Sequence, residues 1–452
     1  MNWRNRILYL GILLELGYLG IAVVGRYKFF INDNHIPSSD INIWFLLTII
    51  GIYLTFVYGV IYWQRKKNIW PRNNLFLYLS MLIFSGTLIA TWPLFSSDIF
   101  TYIMHGRLLG VYHVNPYLAP IANYAQDSIF PWVYYKWLHT PMAYGPLWAL
   151  FSGCLAKISG HNLIHNLLIF RSLTVFFYLA SVYILNKILL LLKSSHRQLI
   201  LYLYAWNPLL LLETANNGHN DIVMATLILL ALYCFLKNKL WLVLPIFIMA
   251  CLIKYIFILL LPFLIFLLLK KVKRKIIFLI GNFLLVNLLL FVVLWPWHLY
   301  QGLINAIQWQ GNLFWPGYLS LLPSLLTIFF PDHLLIKNIC TIIFMVFYLI
   351  LLISFCKKKN IGFSVFNQYI IYILGGYLLM ASFLLNEWYV LWLLPFLLIA
   401  DRKNCYYILL VATAAGLLTT HLAFFSLIFM IILAAVLILR SFYNAYQLST
   451  SH

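Results

Sequence analysis

An all-α polytopic membrane protein is the fold class this sequence predicts, on three observations. Of 452 residues, 64% are hydrophobic and only 9% charged, which leaves more apolar surface than a water-soluble globule can bury. The lysines and arginines, which set a formal charge of +20, fall in short clusters between apolar runs. That is the pattern of topology signals rather than of a nucleic-acid face. Aromatic residues make up 18%, with 16 Trp and 31 Tyr, side chains that sit at headgroup level with one wet end. The six cysteines (Cys154, Cys234, Cys251, Cys340, Cys356, Cys405) show no CxxC or metal-ligand spacing and fall mostly in apolar runs, so they read as small core residues.

The basic clusters orient each run, because cytoplasmic ends should be basic. The first run, 7–24, carries Glu15 and lacks a small-residue cleavage site, so it reads as a retained span. From a cytoplasmic N-terminus, runs 7–24, 41–63 and 75–94 deliver Asp98 to the outer face, where a large loop, 95–145, follows. The apolar segment 146–158 covers only about 20 Å at ~1.5 Å per residue, short of a ~30 Å hydrocarbon core, so it is expected to be embedded without crossing. Runs 163–192, 198–212, 222–236, 240–253, 255–269, 276–294, 334–355, 367–385, 388–400, 405–419 and 422–439 complete the tracing. About fourteen spans (12–15) result, with both termini cytoplasmic and juxtamembrane helices on the outer side. The chain divides into two N-terminal spans (1–74), a central part containing the loop (75–275), and C-terminal spans with a Trp-rich outer segment at 295–333 (276–452).

This topology puts most of the acidic residues outside: Asp33, Asp40, Asp98, Asp127, Glu213, Asp221, Asp332 and Glu387. The densest polar stretch is 96–117. There Asp98, Tyr102 and His105 share roughly one helical face, with Arg107 close behind. A carboxylate at an outer cavity suits general-base work on a hydroxyl, and Arg107 suits a phosphate oxygen; the plainer alternative is that Asp98 caps its helix. Asn115, Tyr117 and Tyr144 lie in Asn-Pro-Tyr and Tyr-Gly-Pro turns. In 213–221, ETANNGHND, Gly218 permits a sharp turn while Asn217, His219, Asn220 and Asp221 present donors and acceptors at a helix entrance. Lys254 stands where two apolar runs turn, as a phosphate ligand or a snorkelling lysine, and Arg171 invites the same argument. His298 and Gln310 in the Trp-rich segment, and Glu387 with Trp388 and Tyr389, read either as contacts for sugar hydroxyls and ring faces or, each taken alone, as interfacial anchors. No paired aspartates or His cluster appear in the opening stretch, which leaves room for no more than a loosely held divalent cation.

In order along residues 75–400, the elements Asp98-x-x-x-Tyr102 with Gly106, Asn115-Pro116-Tyr117, Tyr144-Gly145-Pro146-Leu147-Trp148, Asn217-Gly218-His219-Asn220-Asp221, Lys254 with Pro262, Trp295-Pro296-Trp297, and Glu387-Trp388-Tyr389-Val390-Leu391-Trp392 before Pro395 resemble the GT-C class of integral-membrane glycosyltransferases. Within it, the string is similar to polyprenol-phosphate-mannose-dependent alpha-mannosyltransferases. The resemblance implies a GT-C-like helical bundle whose catalytic core is 75–275. It also implies a polyprenyl-phosphate sugar as donor and a cell-surface glycan or glycolipid as acceptor at the outer face of the plasma membrane. Asp98 would be the inverting base, with Arg107, His219 or Lys254 at the departing phosphate. Glu387-Trp388-Tyr389 stands where relatives often carry Pro-Trp-Tyr, so the sugar need not be mannose. The competing reading is a lipid-linked glycan flippase or other multi-span transporter. It would carry ionisable groups deep within its spans, where only Glu15 and Arg171 are found. A glycan polymerase would differ mainly in donor size.

Overall fold

The computed structural model describes residues 3–31, 43–65, 75–94, 96–314, 320–384 and 386–419. The span expected at 422–439, with Asp33, Asp40 and Arg440, lies outside them. The chain forms two compact units, one of Met1–Asn312 with Lys358–Asn367 and one of Leu313–Lys357 with Gln368–His452.

In the first unit, α1 (Trp3–Ile31) and α2 (Ile43–Arg65) pair, and α3 (Leu75–Ile89) packs on α1. α4 (Asp98–Gly110) follows, then a loop carrying short 3-10 turns, then α5 (Pro146–Ser159) and α6 (Leu163–Leu191). Pro146 opens α5, where the missing N–H of proline costs nothing. The Asn162 side chain caps α6 at the His165 amide, satisfying one of its orphan donors. α4 and α5 pack backbone to backbone: a Cβ on Gly106 would stand 2.4 Å from the Ser152 carbonyl oxygen. Only glycine allows that approach.

α7 (Arg197–Ala205) and α8 (Pro208–Leu211) are short and buried, and the backbone then loosens into a π turn, Leu212–Asn216. After a bend of 115° the chain continues as α9 (Asp221–Leu236). α10 (Leu240–Cys251), α11 (Leu261–Lys271), α12 (Lys275–Leu294) and α13 (Leu303–Asn312) complete this unit's helices. The second unit holds α14 (Leu321–Phe329), α15 (His333–Lys357), α16 (Phe363–Met380) from residue 368 onward, α17 (Leu394–Ile399) and α18 (Lys403–Thr419).

Among the described residues, six helices are long and apolar enough to cross a membrane: α1, α2, α6, α12, α15 and α16. They coincide with the runs at 7–24, 41–63, 163–192, 276–294, 334–355 and 367–385. α12 bares Ile276 (73% exposed) and Phe283 (67%), as a lipid-facing helix does. The bent segment from Pro208 to Leu236 makes a seventh if it counts as one span. The tracing of about fourteen spans is not confirmed. α3, α10, α17 and α18 are short apolar helices, and run 198–212 is interrupted at Trp206–Asn207. Hydropathy does not register where a proline or an unwound turn cuts a run into pieces shorter than a bilayer. The 146–158 segment is the 14-residue α5, and the Trp-rich segment contains α13, an amphipathic helix of 10 residues.

Candidate active site

The first polar cluster forms at the N-terminus of α4. Ser97 stands at the cap without a side-chain capping bond, and Asp98 opens the helix. The Asp98 amide donates to Ser96 Oγ at 3.1 Å, while its Oδ2 accepts from the Tyr144 hydroxyl at 3.2 Å. The carboxylate is therefore turned toward Tyr144. Tyr144 is itself held by backbone: Gly145 N donates to Ile253 O (2.9 Å) and Leu147 N to Leu252 O (3.0 Å). A Cβ on Gly145 would stand 2.1 Å from the Leu252 oxygen, which explains glycine in this Tyr-Gly-Pro turn. The Tyr144 carbonyl accepts from the Tyr117 and Tyr255 hydroxyls (2.7 and 3.2 Å). The same backbone ladder brings Lys254, whose Nζ lies 5.9 Å from the Tyr144 ring centroid and donates to Asp221 Oδ1 at 2.7 Å.

Burial pushes the Asp98 carboxyl up to about 6; the Tyr144 hydrogen bond and the Lys254 charge pull against that shift, and Asp221 adds to it. A carboxylate so placed is ionised near neutrality and more basic than a surface aspartate.

The second cluster is the break between the π turn and α9. The extra residue of a π turn turns side chains sideways that a regular helix would stack. Asn216 ties the break to the segment leading into α4: Leu94 N donates to its Oδ1 (3.0 Å) and its Nδ2 donates to Trp92 O (2.8 Å). Thr174 of α6 donates to Thr214 O at 2.7 Å. Gly218 takes φ +71°, the conformation the sequence anticipates there. The His219 ring then lies between Tyr102, whose hydroxyl is 3.1 Å from Nδ1, and Glu213, whose Oε2 is 3.3 Å from Nε2. Asn217 Nδ2 donates to the same Glu213 oxygen at 2.8 Å. Tyr102 packs edge-on against Tyr144 with centroids 4.8 Å apart, joining the two clusters. Asn220 is fully buried and its amide makes no hydrogen bond among the described residues.

The structure thus brings together Asp98, Tyr102, Tyr144, His219, Asp221 and Lys254 from four separate segments, with Asn217 alongside and Tyr117 supporting the Tyr144 turn. Other expected residues are engaged elsewhere. Arg107 is fully buried at the far end of α4. Its Nε reaches both Asp127 oxygens (3.0 and 2.7 Å), and its other nitrogens meet Gly160 O and His161 Nδ1. The Arg107 guanidinium is thus engaged by Asp127, Gly160 O and His161, apart from the cluster around Asp98. His105 is buried with neither nitrogen hydrogen-bonded among the described residues, and burial pushes it down to about 3. Asn115 fastens its loop to the chain after α12, donating to His298 O and Gln301 O (2.8 and 3.1 Å). His298 is exposed, at a positive φ of 52°. In the second unit, Glu387 begins a 3-10 turn in which Tyr389 stacks on Trp392 at 4.3 Å. Arg171 is buried, donating from one nitrogen to Ile89 O and Thr91 O (2.9 and 2.6 Å). Glu15, inside α1, accepts from Thr87. Glu213 was not singled out from the sequence as a site residue; its place in a polar run beside Gly218 was the only signal. Among the described residues, no group of three His, Cys, Asp or Glu side chains gathers as a metal site.

A family model described as alpha-(1->6)-mannopyranosyltransferase, N-terminal domain (MptA_B family) matches residues 12–270, the stretch that holds both clusters. No curated protein matches the chain.

Proposed function

Since the chain belongs to the alpha-(1->6)-mannopyranosyltransferase family and is a membrane glycosyltransferase by that membership, we propose that it moves a hexose, mannose foremost, from a polyprenyl-phosphate sugar to a glycan or glycolipid at the outer face of the membrane. The observation that carries the proposal is the Asp98 carboxylate, held toward Tyr144 beside the Lys254–Asp221 pair. In this reading the acceptor oxygen attacks the anomeric carbon as its proton passes to Asp98. The bond from anomeric carbon to phosphate oxygen breaks with its electron pair going to the phosphate, and the anomeric centre inverts.

Lys254 faces the developing phosphate charge. Of the three cations suggested by the sequence it is the one that suits, because Arg107 is spent on Asp127 and both His219 nitrogens face protein partners. Asp221 keeps the ammonium in place between turnovers. Asn220, buried without a hydrogen bond, offers both a donor and an acceptor to sugar hydroxyls. The family membership weighs against transport as the primary activity.

The test uses the full chain in lipid nanodiscs with a radiolabelled polyprenyl-phosphate mannose. Asp98→Asn is expected to abolish transfer while the protein elutes as the wild type does. Full activity in that variant would remove Asp98 as the base. The outer-face assignment is checked separately with His113→Cys, at an exposed loop position. An impermeant thiol reagent added to whole cells labels it if the loop is outside.

A further inference from the structure

The chemistry above uses Asp98, Tyr144 and Lys254 and leaves Glu213 without a task, although a buried carboxylate needs compensation to be tolerated. Glu213 is 3% exposed. Its Oε2 accepts from Asn217 Nδ2 and faces His219 Nε2, while His219 Nδ1 faces the Tyr102 hydroxyl. The Tyr102 and Tyr144 rings pack edge-on with centroids 4.8 Å apart, and Tyr144 donates to Asp98. These approaches lead from Glu213 to the proposed base, the one between Glu213 and His219 being a 3.3 Å ion-pair distance rather than a hydrogen bond.

We propose that Glu213, acting through His219 and Tyr102, is a positioning residue for the base: it sets the direction of this series so that the Tyr102 oxygen can receive the Tyr144 hydroxyl whenever Asp98 carries a proton. The inference rests on the reading of Asp98 as the base.

The direction follows from which atoms can donate. A carboxylate only accepts, so the proton of a neutral His219 ring sits on Nε2 and Nδ1 is left as an acceptor. Burial beside the Lys254 ammonium favours that neutral ring. The Tyr102 hydroxyl must then donate to Nδ1, which leaves its oxygen lone pairs facing Tyr144. While Asp98 is ionised, Tyr144 donates to it. Once Asp98 has taken the acceptor's proton, the Tyr144 hydroxyl turns to Tyr102 and its oxygen accepts from the Asp98 carboxyl. Both states of the base are satisfied by turning one hydroxyl, and the protonated state gains a partner it would otherwise lack.

The charged and titratable groups that face Asp98 are Tyr102 on its own helix, Tyr144 ahead of α5, Lys254 ahead of the Tyr255–Leu260 turn and Asp221 on α9. Those that face His219 are Tyr102, Glu213 and Lys254, while the Arg171 guanidinium of α6 is turned to Ile89 O and Thr91 O. Lys254 acts on both Asp98 and His219, and Tyr102 stands between His219 and Tyr144.

The test is the acid limb of the kcat/KM–pH profile of the full chain in nanodiscs, with polyprenyl-phosphate mannose as donor. Tyr102→Phe keeps the ring and removes the receiving oxygen, so Tyr144 stays on the carboxylate and the limb moves about one pH unit lower. Glu213→Met, which removes the acceptor, moves it about as far. Glu213→Gln can present an oxygen to both Asn217 and His219, so it moves the limb less than half as far. An unmoved limb in Tyr102→Phe, equal shifts in Glu213→Gln and Glu213→Met, or failure of all three variants to fold would overturn the inference. Asp98→Asn separates the two claims: if that variant remains active, the reading of the base fails; if it is dead and the limb does not move in Tyr102→Phe, only the relay fails.

Discussion

The two ends of α4 carry the two charges that sequence reasoning placed in one site. At the C-terminal end, Arg107 is enclosed by Asp127, Gly160 O and His161, and Tyr112 donates to the same Asp127 at 2.8 Å. Nearly every donor and acceptor there has a partner within the loop and the α5–α6 turn. About 13 Å away along the axis, at ~1.5 Å per residue, Asp98 is held by one tyrosine, its carboxyl is pushed up to about 6, and an ammonium bound to a second carboxylate stands near it. A charge that is fully enclosed and paired holds a loop in place. A charge that is partly paired and raised toward neutrality is available for proton transfer.

Four measurements would break or sharpen that contrast. The largest effect expected is from Asp98→Asn, a loss of transfer of at least ~10³-fold with the fold retained, read as turnover per folded molecule. Lys254→Met is expected to cost on the order of 10²-fold in kcat, with a smaller change in KM, since the charge is called on as the phosphate leaves. At the other end of the helix the readout reverses. Arg107→Met strands Asp127 and is expected to destabilise the protein by about 3–5 kcal/mol, seen as a lowered unfolding temperature in nanodiscs, while the folded fraction keeps its kcat. If Arg107→Met instead abolished transfer without lowering stability, the contrast between the ends would be wrong.

The smallest effect is in the wild type. The base form of Asp98 is present above about pH 7 and is lost as pH falls through about 6, so kcat/KM declines below that value. A limb near 4 would mean a solvated, ordinary aspartate.

Many residues of the candidate site stand out in the sequence one by one. The Tyr-Gly-Pro turn, Lys254 between two apolar runs, and the polar cluster around Gly218 each broke a local rule for an apolar chain, and breaches of that kind tend to mark function. Whether such residues met was not legible. Arg107 and Asp98 are nine residues apart on one helix yet serve different neighbourhoods, and Lys254 reaches Tyr144 only through hydrogen bonds between 145–147 and 252–253. Glu213 escaped notice because a π turn, which has no sequence signature in this stretch, swings it inward. The span count is left unconfirmed for a related reason. Hydropathy measures how apolar a run is, whereas crossing also requires that the run stay one unbroken helix.

The sequence by itself determined that the chain is helical and rich in membrane-type apolar segments, and where the six long apolar helices lie, and it marked Asp98 as the leading candidate for chemistry, since composition, periodicity and charge clusters are local properties. The tertiary structure alone decided which cation stands near that carboxylate and which is spent on holding a loop. Pairing of charges depends on distances across the fold, and in a buried setting a hydrogen bond made to one partner is a donor withdrawn from every other.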